Sequence, residues 1–527
     1  MVSKGLRDYL AMLFMIVLSG GLLTLSFPPI GLYGLVWVSL VPFFQLLHGE
    51  TSYRKGFIIG FLMGFVHVST TMYWISVSVY KYGGIPMWGT AIITFSFIFY
   101  LCLYWGLTGF IFVFLKEIRI LWLFPFLAAV IEYIRGYPLL HFPWGGVEMA
   151  LPPHLAISQI VDITGIYGLG FLIYVVNLIV YRLWCHFREK RISSAVREAV
   201  LSVLLISIAW IYGAVKIHEV QREASHWKKV KVCLVQPDID QSVKWKKSWE
   251  VKGLDLYVKM SKMGAGEFRT NMVVWPEAAV TFYINEEPGL FRRVLQMVRR
   301  DHFMLIFGAT SYEKKNDKTI YHNSAYLISK EGKIEDRYDK VRLVPFGEYV
   351  PFRRWLPFAK NIVGTEEDFT PGKRLKPLKS EVGPIGTTIC FEGIFPEISR
   401  QLVRMGSVFL VNMTNDAWFG RTSGPYQHLR LSAYRAVENR VYLVRSTGTG
   451  ISAIVDPVGK ILARIPLGVR GFARGIVRLR EGRNTFYTRH GDIFVIFCAV
   501  FALVVLTGAI FIHRKGEGEM DDRETPI

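Results

Sequence analysis

Long apolar runs occupy only two parts of this chain, and their placement constrains the fold more than any other feature of the sequence. The first part extends to about residue 212, and the second is a single run over 493–512. A helix needs about 20 mainly apolar residues to cross the hydrocarbon core of a bilayer. We therefore predict a membrane α-helical bundle with eight spans, at about residues 8–27, 32–48, 56–79, 87–115, 119–134, 160–184, 197–215 and 491–512.

The composition is typical of a membrane protein and excludes a disordered or disulfide-stabilised chain. Hydrophobic residues make up 51% of the 527 residues and charged residues only 20%, against about 25% charged residues in an average soluble domain. The 5 cysteines are scattered and odd in number, and none belongs to a Cys–His cluster with zinc-site spacing. We expect no metal and no cofactor.

Basic residues mark alternate loops between the predicted spans, and this pattern predicts the orientation of the chain. Lys and Arg are retained in short cytoplasmic loops. They precede the first span, follow the last, and lie between spans two and three, four and five, and six and seven, whereas the other short loops hold only Lys81 and Arg135. We predict that both termini are cytoplasmic and that residues 216–490 lie outside the cytoplasm.

Residues 228–487 have a different pattern, in which short β-rich runs alternate with helices. Strands are predicted at 231–236, 272–275, 304–309, 324–329, 384–390, 408–412 and 451–455, and helices at about 243–263, 287–301, 394–405 and 424–440. Alternation of this kind is typical of a layered α/β domain. The predicted domains are a seven-span membrane domain over 1–217, the α/β domain over 228–487, a final helix over 491–512 and a cytoplasmic tail over 513–527.

The net charge of +20 favours an anionic partner. Nucleic acid is excluded if the α/β domain lies outside the cytoplasm beside a membrane, and acidic phospholipid head groups fit that place better. A generally basic, solvated surface is the other interpretation of this charge.

Cys390 is the first residue that could carry chemistry. It ends an apolar run in GTTICFEGIFPE and precedes a predicted helix. Backbone N–H groups that open a helix stabilise a thiolate. Position alone leaves a buried structural cysteine as the alternative. The other cysteines, which we interpret as packing residues, are Cys102, Cys185, Cys233 and Cys498.

Two charged residues are candidates to assist a thiol. Glu277 ends the apolar run of NMVVWPEAAV, where a carboxylate in an apolar pocket could act as a general base. Lys340, in RYDKVRLVPFGEYVPF, could stabilise an oxyanion, and Glu348 follows in a turn. Without a catalytic role, Glu277 would be an acid that interacts with the start of a helix, and Lys340 would be an ordinary surface lysine. His428 could be a Cys–His partner, but we interpret it as structural because no other motif supports that role.

Taken together, the motifs around Glu277, Lys340 and Cys390 resemble those of the nitrilase, or carbon–nitrogen hydrolase, superfamily. That resemblance implies an α-β-β-α sandwich in which Glu277 is the general base, Lys340 stabilises the tetrahedral intermediate and Cys390 forms a thioester. The position of this domain before a last span, with VRLVPFGEYVP and TNDAWFG, is similar to the apolipoprotein N-acyltransferase family of the bacterial inner membrane.

The second resemblance implies the substrates and the supporting residues. The donor would be a membrane phospholipid such as phosphatidylethanolamine, and the acceptor the amine of the diacylglyceryl-cysteine of an apolipoprotein. Glu348 and Glu392 match acids of the family's site, and Trp418 a tryptophan of a mobile loop. Phe391 stands where the family has Tyr, and its backbone N–H can still donate to an oxyanion.

Lipid must also reach the thiol. The segment 351–364, PFRRWLPFAKNIVG, mixes aromatic residues, among them Trp355 and Phe358, with basic ones, as a loop resting in a head-group layer would. We predict that Trp355, Phe358 and Trp418 form a lipid-facing lid. The alternative is that these aromatic residues belong to the core.

Two other functions stay open on the sequence. One is a membrane-anchored amidase of the nitrilase type that hydrolyses a lipophilic amide or ester, because the motifs do not encode the second nucleophile. The other is a transporter or receptor, which the scarcity of ionisable residues in the spans disfavours. The sequence leaves the oligomeric state open, and we take a monomer as the default.

Overall fold

The computed structural model describes residues 4–136, 142–315, 318–349 and 368–521. Its α-helices are α1 (Lys4–Ser26), α2 (Val41–His48), α3 (Tyr53–Met72), α4 (Trp74–Val77), α5 (Met87–Glu117), α6 (Phe124–Arg135), α7 (Val161–Thr164), α8 (Ile166–Arg188), α9 (Ile192–His226), α10 (Gln241–Lys244), α11 (Lys247–Ala265), α12 (Pro288–Asp301), α13 (Pro396–Arg404), α14 (Gly424–Asn439), α15 (Phe486–His490) and α16 (Ile493–Asp521). Its strands are β1 (Lys229–Gln236), β2 (Met272–Val274), β3 (Met304–Lys315), β4 (Lys318–Ile328), β5 (Ile334–Asp339), β6 (Ile385–Ile389), β7 (Phe409–Thr414), β8 (Leu443–Thr447), β9 (Ser452–Val455), β10 (Ile461–Ile465) and β11 (Gly471–Arg478).

In the described part of the chain, 6 helices are long and apolar enough to cross a membrane, namely α1, α3, α5, α8, α9 and α16. They coincide with six of the predicted spans. The second and fifth predicted spans are shorter than expected, because α2 has only 8 residues and α6 only 12. Pro42 and Pro125 stand in their first turns, where proline is tolerated but a helix cannot continue toward the N-terminus. Apolar runs of this length also suit helices buried inside a bundle, and Phe44 and Phe124 are fully buried.

Side-chain contacts identify the helix ends that lie together. Thr24, at the end of α1, contacts His67 near the end of α3, with 3.2 Å between the hydroxyl and Nδ1. His48, at the end of α2, lies 2.6 Å from the Tyr181 hydroxyl in the second half of α8, and its carbonyl accepts a hydrogen bond from Lys116 at the end of α5. The segments that contain α2 and α6 therefore each return the chain from one end of the bundle to the other.

Glycines allow α3 and α5 to pack closely. A Cβ atom added at Gly60 would lie 2.3 Å from the carbonyl oxygen of Trp105, and one added at Gly109 would lie 2.2 Å from that of Gly56. Small residues at such crossings are typical of membrane helix pairs, where backbone contact replaces hydrophobic driving force.

Residues 229–478 form a sandwich of two sheets with helices on both outer faces. The first sheet has the order β11-β1-β2-β3-β4-β5 and the second β10-β9-β8-β7-β6. Neighbours are parallel within β1-β2-β3 in the first sheet and within β6-β7-β8 in the second. In β1, Val232 and Leu234 enter the core between the sheets, whereas Cys233 and Val235 pack under α11 and α12. Helices α13 and α14 cover the second sheet, so the layers follow the expected α-β-β-α order.

Helix α14 also packs against the membrane bundle. Both Trp74 and Trp144 donate from their indole N–H to the Gln427 side-chain oxygen, at 3.3 and 2.7 Å. Tyr434 donates to the carbonyl of Leu151 at 2.8 Å. One apolar core extends from the bundle helices to α13 and α14, and the second sheet is therefore held directly on the bundle.

Candidate active site

Cys390 follows β6 at the carboxyl end of a parallel strand, where α/β proteins place reactive groups. Its φ angle of 51° lies in the left-handed region, which non-glycine residues rarely adopt. Burial, followed by the nearby Glu277 carboxylate, raises the pKa of the Cys390 thiol to about 12. The thiol is therefore protonated at neutral pH and needs a base before it can act as a nucleophile.

The first sheet contributes the charged residues that lie beside this thiol. Glu277 follows β2 and Lys340 follows β5. The Lys340 ammonium lies 3.7 Å from Glu277 Oε1 and donates to Glu348 Oε1 at 2.9 Å. Both Glu277 and Lys340 act electrostatically on Cys390. The structure thus brings together, from two sheets, the residues that the sequence motifs single out.

Asn323 holds the two carboxylates in place and was not foreseen from the sequence. Its side-chain N–H2 donates to Glu277 Oε1 and to Glu348 Oε1, both at 2.8 Å. The backbone N–H of Val344 donates to the other oxygen of Glu348 at 2.8 Å. Asn323 lies within β4, where no motif distinguishes it from other polar strand residues.

Burial changes the protonation behaviour of both charged groups. It raises the pKa of Glu277, an effect that Lys340 opposes and Glu348 reinforces. Burial alone would lower the pKa of Lys340, but the carboxylates of Glu348 and Glu277 outweigh it and raise that pKa. Lys340 therefore remains a cation, and Glu277 is a stronger base than an exposed glutamate.

Glu392 joins the turn that carries Cys390 to the loop that carries Lys340. Its carboxylate accepts from the backbone N–H of Ile389 at 2.8 Å and of Val341 at 2.7 Å, and from the Tyr338 hydroxyl at 2.8 Å. Because both of its oxygens accept hydrogen bonds from these groups, Glu392 fixes the relative position of the two sheets at the site. The neighbouring Phe391 ring is buried and packs on Phe395 with centroids 4.9 Å apart.

Lys244 is a second buried lysine beside Glu277, and no motif in the sequence singles it out. It donates to the backbone carbonyl of Glu277 at 3.3 Å. Burial lowers the pKa of Lys244 to about 8, against the attraction of the Glu277 charge. Its place in α10, in the run SVKWKK, looks like an ordinary basic surface in the sequence.

A separate polar group lies behind Cys390 on the second sheet. Asp416 lies 2.8 Å from His428 Nδ1 and accepts from Arg445 at 2.8 Å. His428 Nε2 is 3.3 Å from the Cys390 carbonyl oxygen, which also accepts from Asn412 at 3.2 Å. The contacts of His428 are thus to Asp416 and the Cys390 backbone, as a structural role requires. Burial, followed by Arg445, lowers the pKa of His428, against the opposing effects of Asp416 and the Cys390 backbone.

Aromatic residues of the bundle and the sandwich meet near this group. Trp418 is 36% exposed and lies with its ring centroid 5.5 Å from that of Tyr82. Phe419 packs on Trp74 at 4.7 Å and on Trp144 at 5.7 Å. The other two predicted lid residues, Trp355 and Phe358, lie outside the described residues. Over the described ranges, no group of three or more His, Cys, Asp and Glu residues could hold a metal ion.

Two family models match the chain in the two regions described above. The model for the carbon–nitrogen hydrolases matches residues 231–479, and the model for the N-terminal domain of apolipoprotein N-acyltransferases matches residues 19–179. The apolipoprotein N-acyltransferase of Geobacter metallireducens is 39% identical over 97% of this chain and 96% of its own. That of Rickettsia prowazekii is 31% identical over 85% and 88%.

Among solved structures, Nit3 of Saccharomyces cerevisiae, a member of the nitrilase superfamily, aligns with 48% of this chain and 90% of its own. It has 23% identity and a TM-score of 0.36.

Proposed function

Since this chain belongs to the apolipoprotein N-acyltransferase family, we propose that it transfers a fatty acyl chain from a membrane phospholipid, through a thioester on Cys390, to the N-terminal amine of a diacylglyceryl-cysteine. Phosphatidylethanolamine is the expected donor and an apolipoprotein the acceptor. The observation that carries the proposal is that Cys390, Glu277 and Lys340 are buried close together in a domain that packs on a bundle of apolar helices.

In the first half-reaction, Glu277 accepts the thiol proton while the Cys390 sulfur attacks the ester carbonyl of the phospholipid. The Lys340 cation and the N–H of Phe391 hold the negative charge on the carbonyl oxygen. Loss of one such donor typically costs a factor of about 10²–10³ in rate. The lysophospholipid oxygen leaves with the proton from Glu277, and the acyl chain remains on sulfur as a thioester.

In the second half-reaction, the neutral acceptor amine attacks the thioester and gives a proton to Glu277. The same oxyanion donors hold the second tetrahedral intermediate, and its collapse forms the amide and returns the proton to the departing sulfur. Because the lysophospholipid leaves before the acceptor reacts with the thioester, we expect ping-pong kinetics. The lid formed by Trp355, Phe358 and Trp418 remains a prediction from the sequence.

We further propose eight membrane crossings, with both termini in the cytoplasm of a bacterial cell and the sandwich outside it. Two observations support this proposal. The segments of α2 and α6 each return the chain across the bundle, and basic residues then fall at alternate loops, as retention in the cytoplasm requires. The test is to place single cysteines in exposed loops of the sandwich and to label them from each side of the membrane. Labelling only from the cytoplasmic side would contradict the proposed orientation.

The test of the function is a mass measurement on the purified chain. Incubation with phosphatidylethanolamine is expected to add one fatty acyl group to Cys390, removable with hydroxylamine and absent from Cys390→Ala. A diacylated lipopeptide should then remove that group and gain it as an amide. Release as free fatty acid at the same rate with and without lipopeptide would instead indicate a hydrolase, and no adduct on Cys390 would overturn the thioester.

A further inference from the structure

Thr414 is the neighbour of Cys390 on the second sheet. Strands β6 and β7 are parallel and pair Ile389 with Met413, so the next residues along them, Cys390 and Thr414, lie side by side at the carboxyl edge. The Thr414 hydroxyl is close enough to the thiol to act on it, and it lowers the pKa of Cys390 against the larger effects of burial and Glu277. The side chain of Thr414 is fully buried. It approaches the sulfur from the second sheet, whereas Glu277 and Lys340 come from the first.

The same hydroxyl has a second partner behind the nucleophile. Thr414 Oγ1 lies 3.2 Å from Asp416 Oδ1 and donates to it. That carboxylate also holds His428 at 2.8 Å and, through its other oxygen, Arg445 at 2.8 Å. Asp416 therefore keeps two strong partners when Thr414 turns away, so release of the hydroxyl leaves no buried carboxylate oxygen without a donor.

From this arrangement we infer that Thr414 is a further catalytic residue, whose hydroxyl turns from Asp416 to the Cys390 sulfur as the thiolate forms. The inference deepens the proposed function and rests on it for the identity of the attacking thiolate.

No proton is transferred to or from Thr414 in this step. In the resting site, its O–H donates to Asp416 and its oxygen can accept from the thiol. As Glu277 takes the thiol proton, the sulfur becomes an acceptor with a full charge, and the Thr414 O–H donates to it. Hydrogen bonds to a charged acceptor are the stronger ones, which favours the turn at the moment of attack. The same contact stabilises the sulfur when it leaves the second tetrahedral intermediate.

The test measures thiol ionisation separately from acyl transfer. The full chain in detergent is treated with iodoacetamide at fixed pH, and alkylation of Cys390 and Cys185 is followed peptide by peptide. Thr414→Val keeps the shape and removes the hydroxyl, and Thr414→Ser keeps the hydroxyl. Thr387→Val is the matched control, because Thr387 is a fully buried threonine of β6 whose hydroxyl lies 3.5 Å from the Ile385 carbonyl.

We expect Thr414→Val to lower the alkylation rate of Cys390 about tenfold and to leave Cys185 unchanged, with Thr414→Ser restoring most of the rate. Acyl-enzyme formation from phospholipid should fall in parallel without a change in KM. Thr414→Ala repeats the measurement if the valine variant does not fold. Alkylation of Cys390 at the wild-type rate in both hydroxyl-free variants, or an equal loss in Thr387→Val, overturns the inference. Failure of acyl-enzyme formation in the wild type, with the alkylation pattern intact, counts against the proposed function alone.

Discussion

Two buried ion-pair groups of this protein are built from the same kinds of side chain but are balanced differently. Where the sandwich meets the bundle, Arg440 makes five hydrogen bonds, to Asp162, Gln159 and the Pro457 carbonyl. These use every N–H donor that a guanidinium has. In the candidate active site, by contrast, the single ammonium of Lys340 is shared between the carboxylates of Glu277 and Glu348.

The difference distinguishes a structural contact from a reactive site. We call the contact of Arg440 with Asp162, between the sandwich and the bundle, the joint. Arg440 and Asp162 carry equal and opposite charges, and the second oxygen of Asp162 accepts from the Tyr212 hydroxyl at 2.8 Å. Every N–H of this guanidinium and both oxygens of this carboxylate therefore have a partner, as in a structural ion pair. In the active-site group, Lys340 faces two carboxylates, while Lys244 donates to the backbone carbonyl of Glu277 and not to its carboxylate. Burial raises the pKa of Glu277, Glu348 reinforces this, and the charges of Lys340 and Lys244 oppose it. An unbalanced buried group of this kind can take up and release a proton, which is what general base catalysis requires.

The largest effect is expected from Glu277→Gln, which removes the base and keeps an oxygen for Asn323. Acyl-enzyme formation on Cys390 should fall by about 10²–10⁴-fold, the usual contribution of a general base, with little change in thermal stability. Rapid-quench mass spectrometry of the acyl-enzyme measures the rate. Glu286→Gln, at an exposed position in the loop that follows Glu277, is the control. A variant that acylates at the wild-type rate would remove Glu277 from the mechanism.

The next effect is expected at the joint and concerns stability. Arg440→Met leaves Asp162 buried without its cation, and removal of one partner from a buried ion pair costs about 3–5 kcal/mol. The midpoint of thermal unfolding should fall clearly, whereas Arg470→Met, at an exposed arginine with one bond to the Pro237 carbonyl, should not change it. Adding Asp162→Leu to Arg440→Met should recover part of the loss. If the single variant melts like the wild type, the joint is not held by this pair.

The sequence predicts those parts of the fold in which a local pattern coincides with burial. The predicted strands at 231–236, 272–275 and 304–309 are confirmed by β1, β2 and β3. Strand β5 was missed because its sequence, IEDRYD, is charged and forms a sheet edge. Strand β8 was missed because Arg445 interrupts its apolar run, although Arg445 is fully buried through its bond to Asp416, 29 residues away.

The candidate site was predictable only where a motif follows a strand end. Glu277 and Cys390 follow strands that the sequence predicts. Lys340 follows β5, which was not predicted, so only the resemblance of its motif to the nitrilase superfamily indicated that it belongs to the site. Asn323 lies inside β4, and its bonds to Glu277 and Glu348 depend on a register that no local pattern specifies. Lys244 is likewise buried only because of the chain that folds over it.

The smallest effect is expected in the pH dependence of Glu348→Gln, and it tests whether the excess carboxylate tunes the base. Glu277 acts in its deprotonated form, so the rate rises as pH increases through its pKa. Burial raises the pKa of Glu277, Lys340 opposes this and the Glu348 charge adds to it. Without that charge, Lys340 is left to Glu277 alone, and the pKa of Glu277 should fall.

In the pH–rate profile of acyl-enzyme formation, the acid limb should therefore move to lower pH by up to about 1 unit. This shift is expected whatever the change in the maximum rate. Glu381→Gln alters an exposed carboxylate on the same domain and should leave the limb in place. A limb that stays fixed or moves to higher pH in Glu348→Gln would mean that Glu348 only anchors Lys340, and the active-site group would then act as a balanced joint like that of Arg440 and Asp162.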